Sequence, residues 1–119
     1  MEAVISSLFA VVLEGEATPQ KQIVVPMSRS YQIVHAFITA GEGAKITLIR
    51  RDLTSGEETA FACLLVGEEG AVDRPMEIIN TRASHIPGRC VTVVAVGIGC
   101  VRRVVLHCVG SPSQALPLE

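Results

Sequence analysis

The chain has 119 residues, of which 49% are hydrophobic and 18% charged, with three Phe, one Tyr and no Trp. At that length a single domain buries a core without needing disulfides or a metal to hold it together. The formal net charge of -2 supplies no general attraction to nucleic acid or to anionic membranes, so neither is expected as a partner.

The first segment, Ala3 to Leu13, is apolar enough to raise the question of a signal peptide. It lacks a basic leader and a small-residue cleavage site, and it is too short to span a bilayer as a helix. It is read as a strand of a soluble protein that is cytoplasmic when synthesised. Strands are expected next at Gln22 to Pro26, Tyr31 to Ala40, Ala44 to Arg51, Glu58 to Val66, Met76 to Asn80, Cys90 to Gly97 and Cys100 to Val109. With so few aromatics the core must be made of Val, Ile, Leu and Ala, which favours strands over helices.

Three tight reversals are expected, at Gly41-Glu42-Gly43, at Asp52 to Gly56 and at Gly97-Ile98-Gly99, each read as a hairpin in which glycine supplies the positive φ. The longer connections, Glu14 to Lys21, Gly67 to Pro75 and Thr81 to Arg89, are the places for the chain to cross between sheets. Local hairpins with long crossings predict an all-β fold, an antiparallel two-sheet sandwich of about eight strands with jelly-roll or Greek-key topology. One sandwich domain over 1–110 is followed by an extended tail over 111–119, whose prolines exclude a regular helix or central strand.

Catalytic and metal chemistry find little support. His35 is expected to share a strand face with Tyr31, Ile33 and Phe37, and His107 with Val101, Arg103 and Val105, both as structural side chains. His85, beside Ser84 in a loop, is the better catalytic candidate, but no GxSxG elbow accompanies it. No CxxC, HxH or HExxH spacing gathers zinc ligands, and neither glycine pair opens a phosphate-binding helix. Paired carboxylates such as Glu57-Glu58 are adjacent rather than convergent. Arg50-Arg51 and Arg102-Arg103 send alternate side chains to opposite faces, in solvated or pairing roles. The expectation is no catalytic residue, no cofactor and no metal. Cys63, Cys90, Cys100 and Cys108 are read as reduced thiols, with a Cys90–Cys108 bridge left open by the register of the last reversal.

The anomaly is that several strands are apolar on both faces. Ile5, Phe9, Val11 and Leu13 alternate with Val4, Leu8 and Val12; Val91 and Val93 alternate with Val94 and Val96; and Val101 and Val105 are expected to face opposite to Val104 and Leu106. A half-solvated antiparallel sheet alternates apolar with polar instead. The second faces therefore predict a homo-oligomer, with a trimer as the first symmetry, or a larger protein assembly. The candidate interface is Val4, Leu8, Val12, Val101 and Val105, with Leu116 and Leu118 of the tail as an arm.

At the level of architecture alone, a small jelly roll without catalytic motifs resembles virion decoration and capsid-associated proteins. That resemblance implies a non-enzymatic structural protein that ends in the virion. The alternative is a small-ligand or carbohydrate-binding module. It is weakened by the scarcity of exposed aromatic rings and predicts a concave polar pocket among the long loops.

Overall fold

The computed structural model describes residues 8–25 and 30–110. Its elements are β1 (Leu8–Ala17), β2 (Ile23–Val25), β3 (Tyr31–Ala40), β4 (Lys45–Asp52), β5 (Glu58–Leu65), β6 (Ala71–Ile78), β7 (His85–Ile86), β8 (Cys90–Ile98) and β9 (Val101–Gly110). The protein is all-β. Every strand pairing is antiparallel, and the nine strands form a sheet nearly closed into a barrel.

The order is β1-β9-β3-β6-β5-β4-β8-β2, with β7 paired to the start of β3. Strand β6 is the hinge between two ladders. Its residues from Ala71 to Met76 run against β3, whereas Glu77 and Ile78 pair with Cys63 and Ala62 of β5. At Pro75, β6 therefore has a ladder partner on one side only, opposite Phe37, which is where a strand tolerates a residue without an N–H.

Of the three expected hairpins, only Asp52 to Gly56 is one, joining β4 to β5. The other two reversals are crossings between ladders, since β3 and β9 lie in one and β4 and β8 in the other. Glycine permits the sharp reversal either way; which strands then pair is decided by tertiary packing. Gly99 shows why that residue is required at a crossing. Its φ is +83° and an added Cβ would come 2.9 Å from Ala44 Cα in the neighbouring crossing. Gly99→Ala is accordingly expected to cost about 1–3 kcal/mol, read as a lower urea midpoint with an unchanged m-value.

Between the ladders lies one core. Strand β3 contributes Tyr31, Ile33, Ala36, Ile38 and Ala40, strand β9 contributes Val101, Val104, Leu106 and Cys108, and opposite them sit Ile46, Leu48, Phe61, Val94 and Val96. The inward positions of β3 and β9 change parity along the strand. In β3, Ile33 pairs with Cys108 and His35 with His107, so Val34 is an extra residue; in β9, Arg103 pairs with Thr39 and Val101 with Ala40, so Arg102 is extra. Each is a β-bulge, and an extra residue moves everything beyond it to the opposite face.

Those bulges correct two expectations. Val101 is fully buried with Val104 and Leu106, not turned away from them, so it is no surface residue and leaves the candidate interface. His35 is exposed on the outside of the sheet and is separated from Tyr31 and Ile33, which point into the core.

One polar contact crosses the core. The Tyr31 hydroxyl, on β3, bonds the Thr92 hydroxyl, on β8, at 2.8 Å, and both residues are fully buried. Phe9 meets the Tyr31 ring edge-on, with centroids 6.2 Å apart. Burial lifts the Tyr31 phenol to about 12; the Thr92 bond opposes that rise, and the Cys108 and Cys90 thiols add to it.

Candidate interaction surface

The catalytic candidate His85 is exposed, and its neighbour Ser84 is already committed. Buried Ser84 donates its hydroxyl to the Thr81 carbonyl at 2.9 Å and accepts the Gln32 amide at 2.9 Å, while its own carbonyl takes the Ile33 N–H. This network anchors the 81–86 connection beneath β3 and leaves no activated nucleophile at Ser84.

Arg50 and Arg51 act as ties. Arg50 donates to the Arg82 and His85 carbonyls, and Arg51 reaches Glu58 at 2.6 Å and Gln22 at 3.1 Å. Arg89 bonds Asp52 at 3.0 Å. The Ser55 N–H, then the Arg89 bond and the Thr54 N–H, hold the Asp52 carboxyl below its usual range. Asp52 thus organises the β4–β5 hairpin tip.

All four cysteines are free thiols. Cys90 and Cys108 lie on strands that do not pair with one another, so the register that left a bridge open does not arise. Burial pushes the Cys108 thiol up to about 11 and raises Cys90 as well, with the Asp52 carboxylate contributing at Cys90. Such thiols are poor nucleophiles. Among the described residues, no three His, Cys, Asp or Glu side chains converge on a point that could hold a metal.

The doubly apolar strands divide into two cases. In β8 the second face is covered within the chain: Val91 and Val93 are buried, with Val93 flanked in register by Val24 on β2 and Ile49 on β4. In β1 it is not. Leu8 is 81% exposed and Val12 50%.

The pairings lay the outer face of β1, β9 and β3 out as cross-strand rows. Ala10, His107 and His35 form one, Val12, Val105 and Phe37 the next, and Glu14, Arg103 and Thr39 the third. Pro75 extends the second row onto β6. The first two rows are apolar apart from the imidazoles; the third is polar, with Arg103 3.9 Å from both Glu14 and Asp73.

Within the face the rings form a cluster. Phe37 and His107 have centroids 5.0 Å apart, and His35 lies 6.1 Å from His107 with the planes at 83°. An open apolar hollow of about 410 Å³ adjoins them, walled by Leu8, Ala10 and Val34.

Of the expected interface residues, Leu8 and Val12 are on this face in the open and Val105 is half-buried on it. Val4, Leu116 and Leu118 lie outside the described residues. His35, Phe37 and His107 also belong to the face; the bulge at Val34 is what separates His35 and Phe37 from Tyr31 and Ile33, with which a period-two reading groups them, whereas His107 shares its side with Val105 as expected.

A second, polar hollow of about 350 Å³ lies at the end of the molecule where the crossings gather, lined by Glu42, Glu68, Glu69 and Arg102. No protein-family model, curated protein or solved structure matches the chain.

Proposed function

We propose that the protein is a non-enzymatic assembly subunit that meets further copies of itself through the outer face of β1, β9 and β3. The observation that carries the reading is the pair of apolar rows, with Val12 half exposed at the β1 end of the second. Apolar surface grouped in this way gains free energy when it is removed from water, at about 25 cal/mol per Å², and grouped patches mark interaction sites more than scattered residues do. One face meeting itself is an isologous contact that closes at two copies, so this geometry favours a twofold pair over a trimer.

The ladder order β1-β9-β3-β6 and β5-β4-β8-β2 supports the finer reading of the fold as a jelly roll, in which two four-stranded layers exchange strands at each crossing. Membership of a virion shell rests on that fold-level analogy alone. The polar hollow beside Glu68 supports the second reading, a small-ligand module, since its size is that of a small-molecule site.

A cross-linking experiment tests the self-contact. Ala10→Cys, made in a Cys63→Ser background, is expected to form an intermolecular disulfide rapidly under mild oxidation, whereas Leu53→Cys at the exposed hairpin tip remains monomeric. Equal rates at both sites would count against the proposed face.

A further inference from the structure

We infer that His35 and His107 form half of a binding site for a late first-row divalent metal ion, zinc in the first instance, and that the same pair from a second copy completes it. The inference rests on the self-contact proposed above.

The two residues stand directly opposite each other on β3 and β9. Both side chains are exposed on one side of the sheet, with ring centroids 6.1 Å apart. Imidazoles sharing an ion at about 2.0–2.1 Å per nitrogen have ring centres about 5–6 Å apart. The spacing of the two rings thus matches that of two imidazoles turned toward a common ion. On the far side of His107 the register partner is Ala10, whose methyl leaves the approach to the ring open. Phe37 and the hollow beside Val34 make the surroundings of the pair apolar.

Two imidazoles alone leave half of a tetrahedral shell unfilled, and among the described residues no third ligand from the same chain converges on them. A second copy laid on this face by a twofold axis passing near the rings supplies two more nitrogens. Four neutral imidazoles suit zinc, copper or nickel rather than calcium or magnesium, which prefer oxygen.

Cys63 is an exposed thiol opposite Glu77 and offers zinc a competing site, so the test uses the Cys63→Ser protein. Zinc chloride is titrated into chelator-stripped protein, with bound zinc counted by equilibrium dialysis and mass followed by sedimentation velocity. The expected result is one zinc per two chains, with the association constant raised at least about tenfold. In His35→Gln and His107→Gln, each tested singly, that zinc response disappears.

A zinc response that survives in both glutamine variants, or no retained zinc at micromolar free ion, overturns the site. One zinc per chain with no change of mass overturns the shared shell. Association of the zinc-free protein is scored separately. If it occurs while zinc has no effect, the self-contact stands and the metal site falls. If zinc-free protein never associates but zinc pairs it through both histidines, the metal site stands and the apolar self-contact falls.

Discussion

Replacing Tyr31 by Phe is expected to destabilise the protein by about 1–3 kcal/mol, because the Thr92 hydroxyl is left buried without its partner. The loss should exceed that expected for a surface hydroxyl, since both residues are fully buried between the ladders and their 2.8 Å bond crosses the core. Thr92→Val is expected to cost a similar amount by stranding the phenol. The double variant Tyr31→Phe/Thr92→Val should recover much of the loss, giving a coupling energy in a double-mutant cycle measured by urea denaturation. Tyr31→Ala, which also empties the space beside Phe9, is expected to cost about 3–5 kcal/mol.

The same bond has a pH consequence. A phenol raised from 10.0 to about 12 in the folded state contributes stability that is complete below pH 10 and lost as pH rises through about 12. Cys108, raised to about 11, is linked to folding in the same direction. Tyr31 is the sole tyrosine and there is no Trp, so phenolate absorbance reports this one group. Its ionisation should coincide with alkaline unfolding rather than precede it. Asp52 acts at the other end of the scale: its carboxyl is held below the usual range, so its contribution is present at neutral pH and lost on acidification through that lowered value.

The second large effect is on association. Val12→Glu places a carboxylate within the proposed contact, at the β1 end of its second apolar row, where burial without a partner is costly. We expect self-association to weaken at least about 100-fold, equivalent to ~2.7 kcal/mol. Stability of the single chain should change little, because Val12 is 50% exposed and a surface substitution moves stability by about 0.5 kcal/mol or less. Leu53→Glu, at an exposed leucine on the β4–β5 hairpin tip away from this face, is the matched control and should associate like the wild type.

The all-β class was legible in the alternation of apolar runs with glycine-rich punctuation, and β3 lies at its expected bounds, Tyr31–Ala40. Other features were hidden for identifiable reasons. Gly67 to Pro75 reads as a connection, yet β6 begins at Ala71, and Pro75 is tolerated in it because the ladder there is one-sided. The two-residue β7 is too short to show any periodicity. The bulges at Val34 and Arg102 leave no mark in composition, but they decide that Val101 is core and that His35 and His107 share an outer face. An excess of apolar strand faces was readable in the sequence; which strands covered them internally was not. The second face of β8 is buried, with Val93 flanked by Val24 and Ile49, and that of β1 is open.

The most direct test of the central claim is the mass of the wild-type chain in metal-free buffer, measured by light scattering across the micromolar range. The proposed contact predicts a concentration-dependent rise from the 12.6 kDa of one chain toward twice that value. A mass that stays at 12.6 kDa throughout would contradict it.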